Sequence, residues 1–146
     1  MKVLLMTVGG SDEPLVTSIV QNRPDHIVFF CSTGKASSRV MVEGEGLVCG
    51  DQGKSKSRPN IVAQSGFPVE KTEIVDVHPD DPYDTYLRAR SIIVQYEGHD
   101  VVVDYTGGTK SMTAGLLLAG TEFSYCRPVI VTGLRLDLHK VTGDLS

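Results

Sequence analysis

Short apolar runs rich in β-branched and aromatic residues recur along the chain, and polar or helix-like segments separate them. The runs cover residues 2–7, 26–31, 71–77, 100–105 and 128–133. In two of them, Val28 to Phe30 and Val101 to Val103, the apolar residues are consecutive instead of alternating with polar ones. Strands with this pattern are covered on both faces, as in a parallel sheet. The pattern therefore predicts five strands, with helices as the covering layers.

Three segments between these runs have the signals of helices. Asp12-Glu13-Pro14 precedes the first, over residues 15–21, with acidic side chains and a proline where a helix starts. The second covers residues 81–97 and ends at Gly98, and its apolar residues share one face. The third, residues 110–123, is apolar nearly all round, so we expect it to be buried on the sheet and to be a candidate for contact with a second subunit. Gly115 and Gly120 would allow close packing there.

The remaining segments complete the predicted topology. Residues 43–60 are rich in glycine, lysine and serine, which predicts a mobile loop, and a helix follows over residues 60–65. Residues 134–141 alternate apolar with polar positions too soon after the fifth run for a helical crossover, so we expect a C-terminal antiparallel strand. The fold class is α/β: a Rossmann-like open, mainly parallel sheet of about six strands, with helices on both faces. Residues 1–146 are interpreted as a single domain.

Composition narrows the class of function. The 146 residues carry 18 acidic against 14 basic side chains, a formal charge of −4, which lacks the positive field of proteins that bind long duplex DNA or RNA. We therefore expect any nucleic-acid ligand to be short. The first apolar run is too short for a signal peptide and no run is long enough for a membrane span, so we expect a cytoplasmic protein with no membrane contact. The three cysteines, Cys31, Cys49 and Cys126, form no CxxC pair and are interpreted as reduced thiols.

Two loops with paired glycines carry the candidate chemistry. Residues 7–11 read Thr-Val-Gly-Gly-Ser after the first strand, and residues 105–111 read Tyr-Thr-Gly-Gly-Thr-Lys-Ser after the fourth. In a doubly wound sheet these two strands are neighbours, and ligands bind beyond their carboxyl ends. Glycines let backbone N–H groups approach an anion, and a helix N-terminus adds positive potential, so phosphate is the expected guest. Lys110 at the start of a helix favours an anionic partner. Neither loop fits a Walker or GxGxxG motif, and a plain turn with Thr109 as helix cap stays the alternative.

The string Asp-Tyr-Thr-Gly-Gly-Thr-Lys-Ser-Met at residues 104–112, after three valines and before an apolar helix, resembles the signature of CRISPR-associated Rossmann-fold (CARF) domains. The resemblance covers most of the chain and extends to residues 132–135. It implies a homodimer that binds one ring of cyclic oligoadenylate, with tetra-adenylate favoured over hexa-adenylate. It also implies an allosteric sensor for a fused or separate effector in type III CRISPR antiviral defence. Since no effector fits in 146 residues, we expect either a stand-alone domain or an excerpt of a longer chain.

The ligand contacts that the resemblance implies lie in the two loops, and Ser32 and Thr33 after the second strand are added because they end at the same sheet edge. The expected binding residues are Gly9, Gly10, Ser11, Ser32, Thr33, Thr106, Gly107, Gly108, Thr109 and Lys110. For Ser32 and Thr33 a helix cap is an equal alternative. No catalytic residue, metal ligand or cofactor is assigned, because neither loop contains histidine or glutamate. The alternative function is a slow, metal-independent ring nuclease acting on the same ligand. A mononucleotide-binding domain of general metabolism is favoured only by the fold.

Three further groups are candidates for a function. Asp104 is expected to accept hydrogen bonds from backbone donors of the loop. Contact with a ribose hydroxyl is the alternative, but it would place a second negative charge near the phosphates and so lower the affinity. His78-Pro79-Asp80-Asp81 invites a metal hypothesis, but the aspartates between two prolines suit a turn and the cap of the next helix better. Lys54, Lys56 and Arg58 are interpreted as a solvated basic cluster, with a contact to an anionic ligand as the alternative.

Overall fold

The computed structural model describes residues 1–34, 37–44, 47–51 and 54–132, with the backbone alone for residues 47–51 and 54–58. In chain order the elements are β1 (Lys2–Val8), α1 (Glu13–Asn22), β2 (His26–Ser32), β3 (Leu47–Asp51), β4 (Lys54–Arg58), α2 (Ile61–Ser65), β5 (Thr72–Val77), α3 (Pro82–Gln95), β6 (Asp100–Asp104), α4 (Lys110–Gly120) and β7 (Cys126–Val129). Two short 3₁₀ turns, Ser38–Met41 and Val69–Lys71, lie within the connections.

Five parallel strands form the central sheet in the order β5-β2-β1-β6-β7. Val3 of β1 is paired with His26 of β2 on one side and with Val101 of β6 on the other. The predicted neighbourhood of the first strand and the strand before the second glycine loop is therefore confirmed. About six strands were predicted, and the described residues contain five in this sheet. The predicted antiparallel strand at residues 134–141 lies outside the described residues.

Helices cover the sheet on both faces, as the consecutive apolar residues predicted. On one face, Val3, Leu5 and Phe30 pack with residues of α3 and α4. On the other face, Leu4 and Phe29 pack with residues of α1 and α2. All five of these side chains are fully buried. Burying an aliphatic or aromatic side chain of this size contributes roughly 1.5–3 kcal/mol, so the central strands supply much of the stability of the domain.

The predicted helices are present with small shifts at their ends. Helix α1 begins after Asp12 with a proline in its first turn, and α3 begins after Asp81, whose carboxylate accepts a hydrogen bond from the backbone of Tyr83 at 3.0 Å. Helix α2 begins after Asn60, as predicted, and α4 ends at Gly120 instead of residue 123. No helix in the described part of the chain is long and apolar enough to cross a membrane.

One interpretation from composition was wrong in its secondary structure. The segment read as a loop, residues 43–60, contains the antiparallel pair β3–β4, with Leu47 opposite Arg58 and Asp51 opposite Lys54. An antiparallel ladder is held by backbone hydrogen bonds, so its formation does not require the apolar side chains that marked the other strands. The side chains of Lys54, Lys56 and Arg58 lie outside the described part of the structure.

Close packing explains two glycines of α4. A β-carbon at Gly115 would lie 2.4 Å from the carbonyl oxygen of Pro82, and one at Gly120 would lie 2.5 Å from a methyl carbon of Val103. Both distances are shorter than any van der Waals contact. Glycine at these positions therefore lets α4 approach both α3 and the sheet, which confirms the packing role predicted for them.

Candidate functional site

The two glycine loops contact each other directly at the carboxyl ends of β1 and β6. A β-carbon at Gly9 would lie 2.6 Å from the backbone nitrogen of Gly108, and one at Gly107 would lie 2.7 Å from the carbonyl oxygen of Thr7. The buried hydroxyl of Thr7 also donates a hydrogen bond of 2.5 Å to the carbonyl oxygen of Gly107. Gly108 has a φ of +92°, a backbone conformation that favours glycine. The paired glycines thus bring the two loops together, whatever ligand they hold.

The carboxylate of Asp104, at the end of β6, holds the second glycine loop by hydrogen bonds to Thr106. Its Oδ1 accepts hydrogen bonds from the backbone N–H of Thr106 at 2.9 Å and from the Thr106 hydroxyl at 2.5 Å. The same hydroxyl accepts a hydrogen bond of 2.8 Å from the backbone N–H of Val131. Asp104 is fully buried. The scaffold role predicted for this carboxylate is therefore confirmed, and Thr106 has its hydroxyl engaged on both sides.

Thr109 caps helix α4 at the rim of the loop. Its hydroxyl oxygen accepts a hydrogen bond of 3.2 Å from the backbone N–H of Met112 and donates one to the carbonyl oxygen of Pro79. The cap reading of Thr109 is confirmed. Lys110 follows at the first position of the helix, is exposed, and forms no hydrogen bond or ion pair with another described residue. A lysine at a helix N-terminus is electrostatically unfavourable by itself. A bound anion would remove this unfavourable interaction, because it would lie between the positive charge and the positive end of the helix.

A cavity of about 550 Å³ opens beside the contacting loops. Five of the predicted binding residues line it: Gly9, Gly10, Ser32, Gly108 and Thr109. The other five do not line it: Ser11, Thr33, Thr106, Gly107 and Lys110. Ser11 and Lys110 are exposed, whereas Thr106 and Gly107 are partly buried and build the loop. Thr33 lines a different hollow, together with Asp76, His78 and Asp84.

One wall of the cavity was missed from the sequence. Ser37, Ser38, Val40 and Met41 form it, in and beside the 3₁₀ turn that follows β2. Val8 and Met112 complete the lining. The region between Cys31 and Glu70 gave weak periodicity, so the sequence offered no spacing that would bring this turn to the glycine loops. The cluster of hydroxyl residues at Ser37 and Ser38 was the available signal.

The segment His78–Asp81 forms a structured turn before α3. The backbone N–H of Asp80 donates to the ring Nδ1 of His78 at 3.0 Å, and the backbone N–H of His78 donates to Asp84 at 2.7 Å. This bond from His78, followed by the contact with Arg88, lowers the pKa of the Asp84 carboxyl. Within the described residues, no group of three metal-ligating side chains is close enough to hold an ion. The carboxylates of Asp81 and Asp84 serve the turn and the start of α3, by accepting from the backbone of Tyr83 and of His78.

Two of the three cysteines are buried and free. Burial raises the pKa of Cys31 to about 12 and that of Cys126 to about 11. Both thiols are therefore neutral at physiological pH and are poor nucleophiles. The side chain of Cys49 lies outside the described part of the structure.

Comparison with known proteins gives a fold. No family model matches the chain, and no curated protein matches its sequence. Among solved structures, Can2 from Sulfobacillus thermosulfidooxidans in complex with cyclic tetra-adenylate is similar with a TM-score of 0.65 and 16% identity over 90% of this chain. Csm6 of Enterococcus italicus bound to cyclic hexa-2′-fluoro-hexa-dAMP is similar with a TM-score of 0.63 and 16% identity over 99% of this chain.

The chain spans 32% of the Can2 chain and 37% of the Csm6 chain, or about a third of each. Identities of 16% carry the fold and not the activity. The five-stranded parallel order and the position of the two loops agree with the expectation drawn from residues 104–112. This chain therefore has the Rossmann-like fold of the CARF-domain proteins that its motif resembles.

Proposed function

We propose that this chain is a ligand-sensing domain of type III CRISPR antiviral defence. Its ligand is a cyclic oligoadenylate, with tetra-adenylate favoured over hexa-adenylate, and it regulates an effector that is fused to it or separate. The observation that carries the proposal is the meeting of the Gly9 and Gly108 loops beside a cavity at the start of α4. The fold is shared with two proteins whose structures contain cyclic adenylate ligands.

The chemistry of the cavity suits a nucleotide. Part of the lining is glycine backbone, the Thr109 cap and the N-terminus of an 11-residue helix, which favour a phosphate. The lining also includes the apolar residues Val8, Val40, Met41 and Met112, which favour the apolar face of a base. Lys110 is exposed and follows Thr109 directly in the sequence. Its positive charge is available to the phosphate at the helix N-terminus or to the next phosphate of the ligand. The overall charge of −4 makes such local features necessary for anion binding.

The size of the cavity supports a site made by two chains. A volume of about 550 Å³ lies in the range of pockets that hold one small molecule. It has room for roughly one nucleotide and cannot enclose a ring of four. A ring with an even number of identical units can share a two-fold axis with a homodimer. Two such cavities facing each other across the axis would each take part of the ring.

The residues near the cavity favour binding without rapid cutting. Cleavage by the ribose 2′-hydroxyl needs an oriented hydroxyl, charge stabilisation and ideally a general base. Residues 7–11 and 105–111 contain no histidine, glutamate or aspartate. Asp104 is fully buried with Oδ1 committed to Thr106, and Asp12 accepts a hydrogen bond of 2.8 Å from Gln64. A general base is therefore missing from the set of residues that we assign to the ligand.

Calorimetric titration tests the proposal. Cyclic tetra-adenylate, cyclic hexa-adenylate and linear tetra-adenylate are titrated into the same preparation, and the ligand is recovered afterwards and separated by chromatography. We expect heat and saturation with a cyclic ring, strongest for the tetra-adenylate, weaker binding of the linear form, and recovery of the intact ring. The absence of binding to either ring would contradict the proposal. Complete conversion of the ring within an hour would replace it with the ring-nuclease alternative.

A further inference from the structure

The turn Ser38–Met41 is fixed to the body of the domain from inside. The backbone N–H of Ser32 donates to the Ser38 hydroxyl at 2.9 Å, and the backbone N–H of Ser38 donates back to the Ser32 hydroxyl at 3.1 Å. Met41 and Val42 are buried in the core against β1 and β2. The turn is therefore attached to the domain by its own hydrogen bonds and core contacts, and it forms part of the cavity wall.

Arg39 fixes the same turn from outside. Its Nη1 donates to both carboxylate oxygens of Asp76 in β5, at 2.9 and 3.0 Å, and its Nε donates to Glu43 at 3.0 Å. These two carboxylates raise the pKa of the Arg39 guanidinium. A single exposed ion pair contributes little, but one arginine shared by two carboxylates has the geometry in which such contacts stabilise. Arg39 itself does not line the cavity.

Val40 lies between these two anchors and is left facing outward. It lines the cavity, yet 47% of its surface is exposed, although its neighbour Met41 is only 3% exposed. A β-branched side chain has little rotamer freedom to lose. An exposed valine in a fixed turn, lining the same cavity as Met112 and Val8, is suited to contact with a flat apolar ligand group.

We propose that Val40 contacts the base of the bound nucleotide and that Arg39, through its ion pair with Asp76, is the positioning residue that holds Val40 in place. The inference rests on the proposed function, because it names the part of the ligand that this wall takes. It assigns to the turn after β2 a role in ligand affinity that the glycine loops do not supply. Asp76, in the neighbouring hollow, thereby affects affinity without touching the ligand.

A double-mutant cycle tests the positioning role. Cyclic tetra-adenylate affinity is measured for wild type, Arg39→Ala, Asp76→Ala and the double variant. If the pair acts as a unit, each single variant loses affinity about three- to tenfold and the double variant is no weaker than either. Arg90→Ala is the matched control, because it removes a similarly exposed ion pair, to Glu122 at 3.2 Å, away from the cavity. We expect wild-type affinity in that control.

The contact role of Val40 is tested by Val40→Thr and Val40→Ala. Threonine keeps the branched shape and removes apolar surface, so both variants should weaken ring binding, by about three- to tenfold. Val69→Ala is the control, since Val69 is 70% exposed and does not line the cavity. Wild-type affinity in both Val40 variants overturns the contact. Loss in Arg39→Ala with no loss in Asp76→Ala overturns the positioning role, because Arg39 would then contact the ligand directly.

Amide hydrogen exchange separates this inference from the proposed function. In the ligand-free protein, Arg39→Ala and Asp76→Ala should speed exchange in residues 38–43, and Arg90→Ala should not. If wild type binds neither ring, the proposed function fails, while faster exchange in these two variants still establishes the ion pair as the anchor of the turn. Unchanged exchange in both variants overturns the positioning role whatever the ligand is.

Discussion

Gly9 and Gly108 lie so close that a β-carbon on Gly9 would be 2.6 Å from the backbone nitrogen of Gly108. The two residues are 99 positions apart in sequence, and the hydrogen bond from Thr7 to the Gly107 carbonyl holds their loops in the same place. Contact between the loops therefore requires small residues before any ligand is considered. The glycine backbone that we propose as the phosphate site therefore also forms the contact between the loops that follow β1 and β6.

Replacement of Gly9 by alanine should destabilise the domain and weaken ligand binding together. The added methyl group must push the Gly108 backbone away, and overpacking of this kind costs about 1–3 kcal/mol. Gly10→Ala is the matched control, since no atom lies within 4 Å of a β-carbon built there and its φ is not positive. Thermal unfolding measures both variants. Equal midpoints for Gly9→Ala and wild type would contradict the close contact.

Replacement of Lys110 by alanine should weaken ring binding without lowering stability. A charge-assisted contact to a phosphate contributes about 1.5–3 kcal/mol, which corresponds to roughly ten- to a hundredfold in affinity. Lys110 forms no hydrogen bond or ion pair within the described structure, and its charge is unfavourable at a helix N-terminus, so its loss should not lower the unfolding midpoint. Calorimetry of Lys110→Ala beside Lys71→Ala, a control lysine in a 3₁₀ turn outside the site, measures the effect. Equal affinities in the two variants would remove Lys110 from the site.

Replacement of Asp104 by alanine should destabilise the domain by about 1–3 kcal/mol, because it removes the acceptor for the backbone and hydroxyl donors of Thr106. Asp104→Asn keeps an acceptor oxygen and should lose less. Chemical denaturation of the two variants gives the difference. If Asp104→Asn keeps normal stability and loses ring affinity tenfold or more, contact with a ribose hydroxyl is the correct role and the scaffold interpretation is insufficient.

Alkaline pH should lower the stability of the domain through Cys31. Burial raises its pKa from 9.0 to about 12, so the thiol stays protonated in the folded state while the unfolded chain ionises above pH 9. The unfolded state then releases the proton first, and the free energy of unfolding falls between about pH 9 and pH 12, by at most about 1.4 kcal/mol per pH unit. Cys31→Ala removes this contribution. Parallel slopes for wild type and variant over that window would show that the thiol is not shielded.

Residues 101–103 and 28–30 show why the sheet could be predicted from sequence. Consecutive apolar residues are needed only where both faces of a strand are covered. Covered strands of this kind are typical of parallel sheets with a helical layer on each face, so one pattern predicted the strands, their parallel pairing and the helical layers. The doubly wound topology also predicted that the strands before the two glycine loops are neighbours, as β1 and β6 are. The pair β3–β4 escaped prediction because its ladder is made by backbone groups, which leave no trace in a pattern of apolar side chains.

The sequence predicted the two glycine loops of the candidate site, but it did not predict the wall formed by the turn after β2. Gly9, Gly108 and Thr109 were found because glycine pairs and a helix cap are local signals. The turn at Ser38 and Val40 reaches the cavity through hydrogen bonds to Ser32 and an ion pair from Arg39 to Asp76, 37 residues away. Contacts of that kind depend on the completed fold. Thr33, the residue after the end of β2, lines the neighbouring hollow instead of this cavity, and its predicted role in binding stays a prediction.

Native mass spectrometry of the protein mixed with excess cyclic tetra-adenylate tests the central claim most directly, because it counts chains and rings in one particle. If the two cavities share one ring, the spectrum should show a complex of two chains and one intact ring, and Lys110→Ala should reduce its abundance while the control Lys71→Ala preserves it. A complex of one chain and one ring, or the absence of any complex at micromolar protein, would contradict a ring-binding homodimer.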